Sequence, residues 1–237
     1  MSEDYLAWKD WREAQFGQCT PDDTRYFDWH VQRALGAPKT ALRVLELGFG
    51  NGSFLAWARR RGHSVVGVET SAPLVARAQA AGFAAHGSVD DVGADTHFDL
   101  VAAFDVLEHV PADHTLALLK RLAQHLAPGG RMVLRFPNAE SPFGQWYQHG
   151  DITHVNALGL SRLRQLAPAS GLQVLHWGER LPWRQLPARQ WPAAASYHLA
   201  RRLFERALRK MYRLDRGMDF SPNQLVVLGA ATSQAAP

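Results

Sequence analysis

Short, continuously apolar runs alternate with stretches of helical periodicity along most of the chain. Strands that are covered on both faces have this uninterrupted apolar character, and their alternation with helices predicts βαβ units around a parallel sheet. We therefore expect an α/β fold. Its predicted strands are Arg43–Leu47, Ser64–Glu69, Phe83–His86, Phe98–Phe104, Met132–Phe136, Leu172–Trp177 and Gln224–Leu228.

Helix start and stop signals occur between these predicted strands. Pro73 suits the first turn of a helix, and Gly62, Gly82 and Gly171 each stand where a helix would end. The predicted helices are Ser53–Arg61, Pro73–Ala81, Ala112–Leu126 and Ser161–Ala167.

Residues 1–40 precede the first predicted strand and are rich in aromatic residues. We expect them to form an N-terminal helical cap, which either packs on the sheet as a pad or covers a ligand as a lid. Residues 41–237 then form the main domain, with a basic helical insertion at about 180–221. The aromatic residues of the predicted cap are Tyr5, Trp8, Trp11, Phe16, Tyr26, Phe27 and Trp29.

Composition narrows the class of protein. With 237 residues, of which 46% are hydrophobic, the chain can bury a substantial core and is too apolar to be disordered. It contains no run of 18 apolar residues, and its first four residues include the acidic Glu3 and Asp4, where a secretory signal would carry basic residues. Cys19 is the only cysteine, which excludes an internal disulfide and a cysteine-based metal centre. We expect a cytoplasmic protein and, because no cluster of Asp, Glu and His stands out along the sequence, no bound metal.

The strongest chemical signal is the segment Val44–Gly52, at the end of the first predicted strand. Its pattern is E-x-G-x-G-x-G, with Glu46 two residues before Gly48. Glycines let the backbone turn tightly and let a ligand lie against main-chain amides at a helix N-terminus. A dinucleotide site would need glycine where Ser53 stands, and a carboxylate beside a pyrophosphate would repel it. The ligand is therefore expected to carry positive charge.

Glu69 ends the second predicted strand, 21 residues after Gly48. A carboxylate at this place can accept hydrogen bonds from both hydroxyls of a ribose, as it does in dinucleotide folds. Glu46 and Glu69 together favour a nucleoside joined to a cationic amino-acid part. S-adenosylmethionine has that form.

Residues 43 to about 178 resemble the class I S-adenosylmethionine-dependent methyltransferases in four segments. These are the glycine-rich Leu45–Gly52, the acidic Glu69, Phe98–Val110 and Leu126–Leu134. The resemblance implies a Rossmann-like, doubly wound sheet of seven strands, mostly parallel with an antiparallel last strand, and S-adenosylmethionine as the cofactor.

The resemblance also implies roles for individual residues in cofactor binding. It places the glycines under the methionine part, the ribose on Glu69, and Phe104 and Asp105 beside the methionine part. The loop after the third strand would edge the adenine, and either Ser88 or Asp90 would meet the adenine amine. The cofactor-binding residues that it implies are Glu46, Gly48, Gly50, Asn51, Gly52, Glu69, Ser88, Val89, Asp90, Phe104 and Asp105.

The connection after the fifth predicted strand, from Phe136 to His154, is the candidate for contact with the methyl acceptor. It is rich in Gly, His and aromatic residues, and ligands bind at the carboxyl ends of parallel strands. His154 lies in a Thr-His element that resembles one in quinone O-methyltransferases and in glycan-associated methyltransferases. Because a histidine can take a proton from an attacking hydroxyl near neutral pH, His154 and His109 are the predicted catalytic residues, with a structural role as the alternative for each.

These features predict a methyltransferase that acts on an oxygen of a small-molecule, glycan-linked, lipid-linked or quinol-like acceptor. The segment Phe104–Leu107 lacks the Asn/Asp-Pro-Pro-aromatic sequence of nucleic-acid amino methyltransferases, which disfavours a nucleic-acid substrate. Cys19 has no basic surroundings in sequence that would make it a nucleophile. The alternatives are a catalytically silent cofactor-binding regulator or partner subunit, an RNA methyltransferase and an NAD oxidoreductase. The oligomeric state is left open.

Positive charge is concentrated in residues 180–216, which carry ten Arg or Lys and two acidic residues, although the net charge of the whole chain is only +4. From Ala200 onward, apolar residues recur at helical spacing and basic residues occupy the other face. Such a helix either packs on the domain with a solvated basic face, or docks on an anionic membrane surface or a phosphate-bearing substrate, with RNA as a third partner. The apolar residues are Leu203, Phe204, Ala207, Leu208 and Met211.

Overall fold

Seven strands in the described part of the chain form one sheet. They are β1 (Arg43–Leu47), β2 (Ser64–Val68), β3 (Ala84–His86), β4 (Phe98–Phe104), β5 (Leu126–Pro137), β6 (Leu172–Trp177) and β7 (Asn223–Ala230). Their order is β3-β2-β1-β4-β5-β7-β6. Pairs among β1 to β5 are parallel, whereas β7 runs antiparallel to both β5 and β6, which confirms the predicted fold class. The computed structural model describes residues 9, 11, 15–36, 40–178, 188–215 and 217–231.

Helices cover both faces of the sheet. They are α1 (Pro21–Leu35), α2 (Ser53–Arg60), α3 (Ala72–Ala80), α4 (Thr115–Gln124), α5 (Gln145–His149), α6 (Leu160–Ala169) and α7 (Trp191–Tyr212). Alternate residues of β4 enter two different apolar clusters. Leu100 and Ala102 pack with residues of α1, α2 and α3, whereas Val101 and Ala103 pack with residues of α4 and α6. The sheet is therefore doubly wound, and its central strands, such as β4, are buried on both faces.

Strand β5 begins six residues before the predicted strand. Its first residue, Leu126, pairs with Phe98, and the register then shifts before Arg131 pairs with Leu100. Gly129 and Gly130 thus lie at an irregularity within the strand. A side chain at Gly130 would lie 2.9 Å from backbone carbonyl oxygens, so glycine is the residue that fits.

The N-terminal region contributes helix α1 to the core. Thr20 caps this helix: its hydroxyl accepts a hydrogen bond from the Asp23 amide, and the Asp23 carboxylate accepts one from the Thr20 amide. Phe27 and Trp29 of α1 are buried in the cluster that also contains α2. Tyr5 and Trp8 of the predicted cap lie outside the described residues, and the boundary at residue 40 stays a prediction.

Helix α7 packs on the protein through a charged face. Glu205 is 2% exposed; it accepts a hydrogen bond from Arg201 at 2.8 Å and pairs with Arg209 at 3.6 Å. The two arginines also donate to Ser221 and to the carbonyl oxygen of Met218, both in the segment that leads to β7. These contacts fix the face of α7 that meets the rest of the chain.

The apolar face of α7 is consequently exposed, contrary to the interpretation that this helix packs on the domain with a solvated basic face. Leu203, Phe204 and Met211 are 56%, 54% and 67% exposed. The helical pattern predicted the helix, but the apolar residues do not face the core. The search of the described residues found no helix that is long and apolar enough to cross a membrane.

Candidate active site

The candidate cofactor residues follow the carboxyl ends of four neighbouring parallel strands. Leu47, which ends β1, pairs with Val68 of β2 on one side and with Ala103 of β4 on the other. The loops that follow these strands therefore meet at one edge of the sheet, where ligands bind in open α/β sheets. The glycine-rich segment, Glu69, the loop after β3 and Asp105 all lie at this edge.

The glycine-rich loop between β1 and α2 has a backbone that other residues rarely adopt. Gly48, Gly50 and Gly52 have φ angles of 69°, 50° and 73°, in the left-handed region that favours glycine. The amide of Gly50 donates a hydrogen bond of 3.2 Å to Oε2 of Glu69, which joins the loop to the end of β2. The loop is thus shaped by its sequence and held by the acidic residue that was predicted to bind the ribose.

Two aromatic residues of the N-terminal segment cover this loop. A side chain at Gly50 would come within 2.8 Å of the Trp11 ring, and one at Gly52 within 2.7 Å of the Phe16 ring. Asn51 holds the segment in place, because its side-chain amide donates to the Gln15 carbonyl and its own carbonyl accepts from Gly17. The predicted cap therefore contributes a cover over the candidate cofactor loop.

Glu46 is a buried carboxyl group beneath the loop. It is 4% exposed, and its Oε2 atom has no hydrogen-bond partner. Burial raises the pKa of Glu46 well above its usual range, and the negative charge of Glu69 raises it further. A buried carboxyl group with an unsatisfied oxygen provides a favourable environment for a positively charged ligand group.

The loop after β3 forms a single 3-10 turn over Val89–Asp91. The Ser88 hydroxyl accepts a hydrogen bond from the Asp90 amide and so caps the turn. The Asp90 carboxylate forms an ion pair with Arg121 of α4 at 2.8 Å, and Val89 is buried. The structure brings Ser88, Val89 and Asp90 to the predicted edge of the sheet.

The side chains of Phe104 and Asp105, at the end of β4, have different contacts. Phe104 packs against Phe27 and Phe54, with ring centroids 5.5 and 5.2 Å away. Asp105 has a φ of 55°, uncommon for a residue other than glycine, and forms an ion pair with Arg135 of β5. Sequence reasoning found Asp105 but missed its partner, which is separated from it by 30 residues.

A cavity of about 410 Å³ lies beside Asp105, between the end of β4 and the connection that follows β5. Its polar lining combines acidic, basic and imidazole groups, and aromatic residues of α5 border it. Trp146, one of these, is 83% exposed. The charged and imidazole side chains that line the cavity are those of Lys9, Asp105, Glu108, His109, Arg135, Asp151 and His154.

Both predicted catalytic histidines line this cavity. The rings of His109 and His154 lie 4.7 Å apart at an interplanar angle of 70°, although 45 residues separate them in the sequence. Glu108 joins them: one of its oxygens lies 4.0 Å from Nε2 of His154. One ligand atom from each of the three residues lies within 4.8 Å of the others, a cluster that the sequence spacing did not indicate.

The hydrogen bonds of the two histidines fix their tautomers. Nδ1 of His154 contacts the Gln148 carbonyl at 3.2 Å, and a carbonyl can only accept, so Nδ1 carries the proton. Thr153 donates its hydroxyl proton to Asp151, so the Thr153 oxygen and carbonyl accept from Nδ1 of His109. In both neutral rings Nε2 therefore holds the lone pair.

Burial and hydrogen bonding tune the titrating groups of the cavity. Burial raises the pKa of Glu108 to about 8, and Asp105 contributes in the same direction. Burial lowers the pKa of His109, as does the neighbouring His154. Burial alone would raise the pKa of Asp151, but hydrogen bonds from Thr153 and the charge of Lys9 outweigh it and lower the pKa to about 2. The cavity therefore holds a neutral His109 at physiological pH.

Comparison with known sequences identifies the family of the chain. A family model described as a methyltransferase domain matches residues 21–177. A ubiquinone biosynthesis O-methyltransferase from Nitrobacter winogradskyi is 39% identical over 99 residues, which are 39% of this chain and 37% of that protein. A tRNA 5-carboxymethoxyuridine methyltransferase from Escherichia coli K12 is 30% identical over 158 residues, 60% of each chain. The chain thus spans between about a third and three fifths of the length of these relatives.

Solved structures agree on the fold. A S-adenosylmethionine-dependent methyltransferase from Archaeoglobus fulgidus aligns with a TM-score of 0.63 at 14% identity, over 96% of this chain and 99% of that one. A magnesium protoporphyrin IX methyltransferase from Synechocystis PCC 6803, solved with bound S-adenosylhomocysteine, aligns with a TM-score of 0.60 at 16% identity, over 96% and 97%. These likenesses confirm the predicted fold, and the match to the methyltransferase domain over residues 21–177 confirms the predicted family. The chain belongs to the class I S-adenosylmethionine-dependent methyltransferases.

Proposed function

We propose that this protein transfers the methyl group of S-adenosylmethionine to an oxygen of an acceptor bound in the cavity beside Asp105. The observation that carries the proposal is the pair of lone-pair nitrogens, Nε2 of His109 and of His154, at a cavity that borders the end of β4. An oxygen acceptor must lose a proton as it is methylated, and a neutral imidazole near the reacting atoms can take it. His154 and His109 are the catalytic residues of this proposal.

The glycine-rich loop and the cavity beside Asp105 meet at the loop after β4. Val106, which follows Asp105, contacts the glycine loop so closely that a side chain at Gly48 would come within 2.4 Å of it. A cofactor whose methionine part lies on the glycine loop would therefore have its sulfonium near the cavity. Positioning of the acceptor oxygen against the methyl group would supply much of the rate acceleration.

The relatives support an oxygen acceptor without naming it. Three of the seven curated matches are ubiquinone biosynthesis O-methyltransferases, with identities of 34–39% over 99–102 residues. We infer that the acceptor belongs to the hydroxylated small molecules, with lipid-linked and quinol-like compounds as the first candidates. The similarity to the transfer RNA methyltransferase from Escherichia coli makes methylation of RNA the second candidate function. The basic surface of α7 would then bind the RNA phosphates.

A turnover assay tests this proposal. Purified protein and S-adenosylmethionine should produce S-adenosylhomocysteine with a hydroxylated aromatic acceptor that carries a prenyl chain, and the product should be an ether. Replacing His154 with Asn should lower kcat at least tenfold, because the general base contributes on the order of a hundredfold or more, whereas the exposed His114→Asn variant should retain full activity. Turnover with tRNA alone would replace the proposal by its alternative, and cofactor binding without turnover on any acceptor would indicate a silent binding protein.

We further propose that the free face of α7 rests on an anionic membrane surface. The exposed basic residues Arg202, Arg206 and Lys210 recur every four residues, so they form one strip along the helix. The exposed apolar residues Leu199 and Leu203 lie beside that strip. A basic strip next to an apolar strip is the arrangement by which helices lie in the interface of anionic bilayers, and it would bring the enzyme to a lipid-borne acceptor.

Sedimentation with vesicles tests the membrane contact. The protein should sediment with phosphatidylglycerol vesicles and remain in solution with phosphatidylcholine vesicles. Reversal of Arg202 and Arg206 to Glu should release it, as should raised salt, because exposed charges are screened beyond about 10 Å at 0.1 M ionic strength. Lys120→Glu, on the exposed face of α4, is the matched control. Equal binding of the reversal variant and the control would contradict the proposal.

A further inference from the structure

Among the described residues, the carboxyl group of Glu108 forms no close ion pair with a lysine or an arginine, although the charges of Arg135 and Lys9 act on it from further away. Asp105 forms an ion pair with Arg135, and Asp151 forms one with Lys9 at 3.3 Å. Glu108 is 1% exposed, and neither of its carboxylate oxygens has a hydrogen-bond partner among the residues that the structure describes. A buried carboxyl group without hydrogen bonds is costly whether or not it is ionised, so a group that satisfies it is expected.

His154 lies too far from Glu108 to form a hydrogen bond with it. Nε2 of His154 lies 4.0 Å from Oε1 of Glu108 and 3.7 Å from Oδ2 of Asp151, and it presents a lone pair because Nδ1 holds the proton. His109 likewise commits Nδ1 to Thr153. In metal sites, a ligating histidine donates the N–H of one ring nitrogen to a carbonyl or similar acceptor in this way, and this hydrogen bond orients the other nitrogen toward the ion.

We propose that Glu108, His109 and His154 bind a divalent transition-metal ion of the Zn²⁺ class, with an open coordination position toward the cavity. Two imidazoles and one carboxylate are a donor set that Zn²⁺ accepts in catalytic sites. The three ligand atoms lie within 4.8 Å of one another. Since Zn–N and Zn–O distances are about 2.0–2.2 Å, the side chains would have to close by roughly 1 Å around the ion.

This inference rests on the proposed function for the oxygen acceptor and the methyl donor, but it changes the role of His109 and His154 from free bases to metal ligands. A hydroxyl oxygen at the open position would lose its proton to solvent more readily, because the ion lowers the pKa of a bound hydroxyl. That oxygen would then form the new O–C bond to the methyl group, and the electron pair of the broken S–C bond would remain on sulfur as neutral S-adenosylhomocysteine. The histidines would act as ligands, and the ion would replace the free base.

Metal binding to the intact protein tests the site without any acceptor. Protein treated with a chelator should bind one equivalent of Zn²⁺ in calorimetry. Co²⁺ bound in the same site should show the visible absorption bands of a four- or five-coordinate ion. Glu108→Gln and His154→Asn should each weaken Zn²⁺ binding at least about tenfold, since loss of even an outer-shell partner costs about 10–100-fold. The exposed His114→Asn should bind as the wild type does.

The outcomes separate the metal site from the proposed function. Failure of wild-type protein to bind Zn²⁺, or equal binding by wild type and both ligand variants, overturns the metal site; methyl transfer by the metal-free protein would then leave the proposed function standing. Tight binding that only the ligand variants lose supports the site, even if no oxygen acceptor is methylated. Because Glu108→Gln alters the core, the Co²⁺ bands of the more conservative His109→Gln provide the second test, and unchanged bands overturn the proposal.

Discussion

Glu46 and Glu69 lie at the edge of neighbouring strands, and their carboxyl groups interact: burial raises the pKa of Glu46, and the negative charge of Glu69 raises it further. Glu69 is itself held by the amides of Gly50 and Ser71, so its position does not depend on a ligand. Such a pair of acidic groups is more stable with a cation nearby. A cofactor with a sulfonium and an ammonium group supplies that charge.

Cofactor binding should therefore release protons. The positive charge of S-adenosylmethionine would lower the pKa of Glu46 toward its usual range, and Glu46 would give up a proton on binding. Affinity for the cofactor should accordingly rise with pH through the raised pKa of Glu46. Calorimetry in two buffers with different ionisation enthalpies measures the number of protons released. The Glu46→Gln variant should release none from this group, and an unchanged proton release in that variant would contradict the assignment.

Gly50→Val should abolish binding of S-adenosylhomocysteine. The new side chain would meet the Trp11 ring at 2.8 Å and would occupy a backbone with a φ of 50°. Gly62 provides a matched control, because it also has a positive φ, of 75°, but nothing lies within 4 Å of its missing side chain. Gly62→Val should lose stability by about 1–2 kcal/mol and keep its affinity. Equal affinities of the two variants, measured by calorimetry, would refute the role of the glycine loop.

Glu69→Ala should weaken cofactor binding more than Asp90→Ala. Glu69 would accept two charge-assisted hydrogen bonds from the ribose and also holds the Gly50 amide, whereas Asp90 is exposed and already paired with Arg121. We expect a loss of about tenfold or more for Glu69→Ala, since charge-assisted bonds contribute about 1.5–3 kcal/mol. A thermal-shift titration with S-adenosylhomocysteine would rank the variants, and the reverse order would mean that the nucleoside lies elsewhere.

His30 should make the protein sensitive to acid. Burial lowers the pKa of His30 to about 4 from 6.5, and the charge of Arg135 lowers it too, against the raising effect of the Tyr26 carbonyl. Between these values the unfolded chain binds the extra proton, so stability falls as the pH drops from 6.5 to 4. The contribution is about 3 kcal/mol between pH 7 and pH 4. Urea unfolding of His30→Phe should show a flatter pH dependence, and parallel profiles for variant and wild type would contradict this origin.

The sequence predicted the central strands of the sheet well because they are buried on both faces and therefore read as continuous apolar runs. Arg43–Leu47, Phe98–Phe104 and Leu172–Trp177 are observed with the predicted bounds. The glycine loop was also predictable, because its geometry depends on glycines that are close together in the sequence. The register shift at Gly129 and Gly130 could not be predicted in this way, because it depends on how β5 pairs with β4.

Features that depend on contacts between residues far apart in the sequence were not predicted. The cluster of Glu108, His109 and His154 joins two segments that the fold brings together, so no spacing in the sequence reveals it. The exposure of the apolar face of α7 was also missed, since amphipathic periodicity shows which residues share a face but not which face is buried. One local signal was present: Arg201 and Glu205 have the four-residue spacing of a helical ion pair, and they form the buried contact.

A crystal structure of the protein with S-adenosylhomocysteine is the most direct test of the account. The account predicts that the amino-acid part of the ligand lies on the loop Gly48–Gly52, that both ribose hydroxyls contact Glu69, and that the sulfur faces the cavity lined by Glu108, His109 and His154. A ligand bound away from the glycine loop, or one whose sulfur faces away from that cavity, would contradict methyl transfer at this site.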